Sequence, residues 1–136
     1  MRNQGGVINV PKGDGTPGPI LVAGTAVAYS RTMPLNMGNY FGIWFQATSV
    51  IGTADVKVEF EQGPVDLTDA QQDAAHSSFI VADGATEIDA QANDEKAHLW
   101  NVSPVPMTYC RFKITGLGSN PADTLIQMYF FIQEQA

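Results

Sequence analysis

The sequence predicts an all-β fold, a jelly-roll-like antiparallel β-sandwich of seven or eight strands with an extended N-terminal arm. Three observations predict it. Several stretches alternate apolar and polar residues with a period of two, turn residues separate them at short spacing, and only one short segment offers a helix. The chain of 136 residues fits one domain, and a domain of that size closes a core without disulfide staples.

Residues 1–19 read as the arm. Gly5, Gly6, Gly13, Gly15 and Gly18, with Pro11, Pro17 and Pro19, favour extended or flexible chain. Its apolar island, Val7-Ile8-Asn9-Val10, has the character of a short strand able to add to a neighbour's sheet edge. Residues 20–136 read as the sandwich. Ile20 to Tyr29 is rich in Val, Ala and Thr and forms one strand; Tyr40 to Ser49 is the next. Val56 to Glu61 sets Val56, Val58 and Phe60 on one face and Lys57, Glu59 and Glu61 on the other. Ser78 to Ala82 and Ala97 to Val105 are shorter runs. Tyr109 to Thr115 turns Cys110, Phe112 and Ile114 inward and Tyr109, Arg111 and Lys113 outward. Thr124 to Gln133 sets Ile126, Met128, Phe130 and Ile132 on its core face. Within 66–76, Thr68 with Gln71 three positions on has the spacing of a capping box, enough for a turn or two of helix. Residues 83–96 are polar and acidic and read as a loop or weak hairpin.

Composition excludes several functions. The net charge is −7, and the seven basic residues are scattered, so neither nucleic acid nor an anionic membrane is an expected partner. The single cysteine, Cys110, forms no intrachain disulfide, and its place on an apolar strand face marks it as a core thiol. No apolar run has transmembrane length, and the polar opening Met1-Arg2-Asn3-Gln4 lacks a signal core, so synthesis in a cytoplasm is expected.

No catalytic constellation stands out, and the expectation is a non-enzyme with no cofactor, no metal and no small-molecule substrate. His76 and His98 lack the context of a nucleophile elbow or a cysteine protease. Asp66, Asp69, Asp73 and His76 would share a face if helical and so form a candidate cation site, although a solvated acidic helix face has the same pattern. Asp83, Asp89, Asp94 and Glu95 lack EF-hand spacing. Glu59 and Glu61 read as surface charges rather than glycosidase carboxylates. Asn101-Val102-Ser103 matches a glycosylation acceptor by chance, and Gly13-Asp14-Gly15 lacks the rest of a phosphate loop. Trp44 and Trp100 supply aromatic platforms of the kind that stack on sugar rings.

The functional signal is surplus apolar surface. A sandwich strand needs one apolar face. With Phe41, Ile43, Phe45 and Ala47 inward, Tyr40–Ser49 still carries Tyr40 and Trp44 on its other face, and the last strand carries Leu125, Tyr129 and Phe131. Either the arm or the 62–76 segment covers these, or another protein does. Val7, Ile8, Val10, Tyr40, Trp44, Leu125, Tyr129 and Phe131 are therefore the candidate subunit or lattice interface.

The C-terminal third, His98-Leu99-Trp100, Tyr109-Cys110-Arg111-Phe112-Lys113-Ile114-Thr115-Gly116 and Asn120-Pro121-Ala122-Asp123-Thr124, resembles tailed-bacteriophage virion accessory proteins, the head decoration or cement type above all. The resemblance implies a structural role in a virion, oligomerisation as a trimer or other closed ring, docking on a larger capsid or tail protein, and an arm that reaches neighbours. Discoidin-like, galactose-binding jelly rolls share a similar closing pair of strands, and this keeps a carbohydrate-binding module as the alternative.

Overall fold

The computed structural model describes residues 3–34, 40–49, 55–81, 88–91, 95–100, 108–117 and 123–135, with side chains placed for 9–34, 44, 46, 56–80, 108–117 and 124–130. The described strands are β1 (Asn3–Asn9), β2 (Ile20–Ala23), β3 (Val27–Tyr29), β4 (Met33–Pro34), β5 (Tyr40–Ser49), β6 (Asp55–Gly63), β7 (Ile80–Val81), β8 (Ile88–Gln91), β9 (Glu95–Trp100), β10 (Tyr109–Gly116) and β11 (Asp123–Gln135).

They form two antiparallel sheets. The first runs β1-β11-β5-β9, with β2 on the same side of β11 as β1 but further along: β1 takes Tyr129 to Gln135 and β2 takes Asp123 to Ile126. The second runs β3-β10-β6-β7, with β4 beside β3 on β10 and β8 beside β7 on β6. This is the predicted jelly-roll-like sandwich, built from more and shorter edge strands than expected.

The core lies between the sheets. Val56, Val58 and Phe60 of β6, Cys110, Phe112 and Ile114 of β10, and Ile126, Met128 and Phe130 of β11 are all buried, as their alternation predicts. Phe130 bridges the layers, 5.8 Å from the Phe60 ring and 5.3 Å from that of Phe112. Each such aromatic contributes about 1.5–3 kcal/mol of burial. The thiol of Cys110 sits in this layer, and burial pushes its pKa far above the ordinary value.

Two departures have local causes. Ile20 to Tyr29 is two strands in different sheets, because Gly24 adopts a positive φ of 55° and Ala26 donates to the Ala23 carbonyl at 2.9 Å, turning the chain across the sandwich. The second departure is the arm. Residues 3–9 pair with β11 of the same chain over seven positions. The following stretch is tied down by an isolated bridge from Lys12 to Ser30 and by Asp14, which accepts from the Thr16 amide at 2.9 Å and its hydroxyl at 2.6 Å. Those two bonds hold the Asp14 carboxyl below its usual pKa. Within 66–76, the helix is a single 3-10 turn, Asp69–Gln71, whose Thr68 amide donates to Gln71 Oε1 at 3.0 Å.

Candidate functional site

The two outer faces of the sandwich differ. That of the second sheet is covered over Glu61 and Arg111, with Lys57, Glu59 and Lys113 half-buried further along it. Residues 64–79 form a strap there: Phe79 is buried against Gly63 of β6 and Arg111 of β10, and Leu67 is buried as well. The strap is fastened to the chain around β3 and β4. Asp73 accepts from the Tyr29 amide at 3.0 Å. Gln72 Oε1 accepts from the Thr32 amide at 3.1 Å, while Gln72 Nε2 donates to Thr32 Oγ1 and to the Leu67 carbonyl, both at 2.9 Å. Asp69 pairs with Arg31, raising the pKa of that guanidinium, and Asp66 accepts from the Thr32 hydroxyl.

These bonds settle the acidic cluster. Asp66, Asp69 and Asp73 each serve a different partner, and His76 meets Ser78 Oγ at 2.8 Å through Nδ1. The single 3-10 turn does not line the four up, and among the described residues no three potential ligands group around a metal position. The Asp83 and Asp94 candidates and Asn101-Val102-Ser103 lie outside the described residues, as do the side chains of Asp89, Glu95, His98 and Trp100.

Under the strap lies an unusual ion pair. Arg111 is fully buried and donates from Nε to Glu61 Oε1 at 2.9 Å. Its guanidinium carbon is 4.0 Å from the centre of the Tyr29 ring and 5.0 Å from that of Phe79. Glu61, expected as a surface charge, is thus a buried counter-ion: period two reports which face a residue takes, not what covers that face. Burial, reinforced by the Glu61 charge, pushes the Tyr29 phenol up.

The outer face of the first sheet has no such cover among the described residues. Trp44 of β5 lies directly opposite Tyr129 of β11, and their rings pack at 5.4 Å with a 49° tilt. Gln46 stands opposite Gln127, and Gln127 Nε2 donates to Asn9 Oδ1 at 2.8 Å. Leu125 is 40% exposed and pairs with Leu21, 53% exposed. The side chains described on this face are uncharged, and the register sets Glu95, opposite Gln46, and Asp123, opposite Ala23, at positions along its margins.

The structure therefore brings Trp44, Leu125 and Tyr129 of the expected interface onto one surface and adds Leu21, which the sequence reading had assigned no role. The one signal for Leu21 was its alternation with Ile20 and Val22, both buried. Val10 is corrected. It is 1% exposed, donates to the Met128 carbonyl at 3.0 Å and belongs to the chain's own core. Val7, Ile8, Tyr40 and Phe131 occupy strand positions opposite Phe131, Phe130, Gln133 and Val7, while their side chains lie outside the described ones.

Topology and packing define a two-sheet antiparallel β-sandwich of jelly-roll type. No family's sequence pattern and no curated protein's sequence matches the chain. Among solved structures it is similar to part of tripeptidyl peptidase 2, with a TM-score of 0.58 at 8% identity, covering 93% of this chain and 10% of that one. It is similar to a chain of infectious bursal disease virus, Gx strain, with a TM-score of 0.58 at 8% identity, covering 98% of this chain and 33% of that one. The VP2 subviral particle of infectious bursal disease virus gives 0.53 at 11% identity, again over 98% and 33%. The chain thus spans a third or less of these proteins, and what it shares with them is the fold. No helix among the described residues is long and apolar enough to cross a membrane.

Proposed function

We propose that the chain is a non-enzymatic structural subunit of a virion, which self-associates and docks on a larger protein shell through the outer face of its first sheet. One observation carries the reading. The second sheet carries a strap on its outer face, whereas the first presents half-buried Trp44 and Tyr129 beside exposed Leu21 and Leu125, with no charge among the four, in a protein of net charge −7. Apolar surface without charge is where a protein tolerates contact with another copy of itself. Paired aromatics are also the residues that dominate interface energies. The fold shared with a viral particle protein supports the same reading, as does the resemblance of the C-terminal strands to phage accessory proteins.

A stable interface buries about 1,600 Å² in total. Carboxylates introduced at its centre abolish it while leaving the core untouched. Light scattering on Trp44→Asp and Tyr129→Asp is expected to report folded protein that has lost the association made through this face, against a larger wild-type assembly. A wild type that stays monomeric at high concentration, with no affinity for a shell, ends the proposal. The same ring pair would serve a carbohydrate-binding module as a stacking platform. Glycan-array binding lost in Trp44→Ala, in a protein that never associates, selects that reading instead.

A further inference from the structure

Most sheet edges of this fold are blunted. Among the described edge strands, β9 carries Glu95, Lys96 and His98, β8 carries Asp89, β4 ends in Pro34, and β2, β3 and β7 span four residues or fewer. Charge, proline and brevity are the means by which edges avoid pairing with other chains. β1 has none of them. Asn3-Gln4-Gly5-Gly6-Val7-Ile8-Asn9 is seven residues long, carries neither charge nor proline, and pairs among the described residues with β11 alone.

The ladder says which of its backbone groups face away from β11. Val10 donates to the Met128 carbonyl, next to the Asn9–Tyr129 pair. In an antiparallel ladder both polar groups of a residue face the same neighbour, and the direction alternates along the strand. Ile8, Gly6 and Gln4 therefore turn their amides and carbonyls to β11. Asn9, Val7, Gly5 and Asn3 turn theirs to the open edge.

We infer that this edge pairs with β1 of a second copy, antiparallel about a twofold axis through Gly6; the inference rests on the reading of the chain as an assembly subunit. In that register Asn3 faces the second copy's Asn9 and Gly5 faces its Val7. All four outward residues of each strand meet outward residues, giving about eight hydrogen bonds. Gly6 meets its own counterpart in the close, non-bonded type of pair, about 4.5 Å between Cα atoms, where a missing Cβ eases the approach. A shift of one residue sets outward groups against inward ones and loses the ladder. The interface is isologous, as a closed dimer requires. A twofold axis perpendicular to the sheet also leaves both Trp44–Tyr129 faces on the same side, so the dimer presents one doubled apolar surface to a shell.

The test is amide hydrogen exchange on the full-length chain at low and high concentration, with light scattering alongside. Gly6 and Ile8 amides are expected to be protected throughout. Gly5 and Val7 amides are expected to slow by roughly tenfold or more as the dimer fills. Val7→Pro removes one outward donor while sparing the inner ladder, since an edge strand accepts proline on its open side, and should halve the mass. Tyr129→Asp should keep the dimer and lose docking on the shell. If Gly5 and Val7 exchange equally fast at both concentrations, the edge pairing is overturned, and association through the Trp44–Tyr129 face stands or falls on its own variants. Should Val7→Pro also expose Gly6 and Ile8, β1 has detached, and the wild-type exchange pattern alone decides.

Discussion

Arg111 places a full charge where water does not reach. Its neighbours supply one carboxylate oxygen and two aromatic faces, while Nη1 and Nη2 have no hydrogen-bond partner among the described residues. Such a pair contributes little net stability, but breaking it leaves Glu61 buried without a counter-charge. Arg111→Ala is expected to cost about 3–5 kcal/mol in urea unfolding. Arg111→Lys should recover little of it, because an ammonium lacks the planar group that stacks between Tyr29 and Phe79. Replacing Arg111 and Glu61 together by leucines should restore most of the loss, the signature of a desolvated pair rather than a stabilising one. The sequence placed Arg111 on the correct face and assigned it to solvent, since alternation carries no information about a covering segment far away in the chain.

A second residue-scale consequence is alkaline sensitivity. Burial raises both the Cys110 thiol and the Tyr29 phenol above their ordinary values of 9.0 and 10.0. Once pH passes those values, the unfolded chain releases the two protons and the folded chain retains them. Stability is therefore complete at lower pH and declines as pH climbs past about 9 and then 10. Urea midpoints measured from neutral into strongly alkaline solution should fall, and Cys110→Ala should remove the earlier part of the decline. Thiol reagents should leave Cys110 unmodified until the protein unfolds.

At the scale of elements, the strap is the piece least legible in the sequence. Residues 64–79 contain one 3-10 turn and no strand, so periodicity has nothing to read; their order comes from side-chain bonds to Tyr29, Arg31 and Thr32. The sequence did suggest this segment as a cover, but for the aromatic face of the other sheet. Its fit depends on Gly63, at the end of β6. A Cβ there would stand 2.5 Å from the Phe79 ring. Gly63→Ala is expected to cost about 1–3 kcal/mol by forcing Phe79 off the sheet, and to expose the Arg111–Glu61 pair. Faster exchange of the Tyr29 and Thr32 amides, which donate to Asp73 and Gln72, would report the loosening. By contrast β5, β6, β10 and β11 were legible almost to the residue, because each is long and half-buried and so carries a full period-two signal. The short edge strands were not: two to four residues hold too little alternation to separate them from loop.

For the whole molecule, the sandwich followed from turn spacing and alternation, and the surplus of apolar surface on the first sheet was legible as well. Which side of the sandwich keeps a cover of its own was not, because that depends on three carboxylates finding partners far away in the chain. The resulting asymmetry, a strap over one face and half-buried aromatics beside exposed leucines on the other, is what the proposed assembly uses.

The arrangement around β11 has a kinetic side. This strand holds β1, β2 and β5 together, and Asn3 lies opposite Gln135. Nearly the entire polypeptide must be gathered before the first sheet can zip, so little entropy is recovered early and the barrier is high. Refolding on the millisecond-to-second scale typical of non-local β topologies follows. Until β11 inserts, β1 and β2 are loose strands and β5 is paired on its β9 side alone, and chains in that condition are the ones prone to clump.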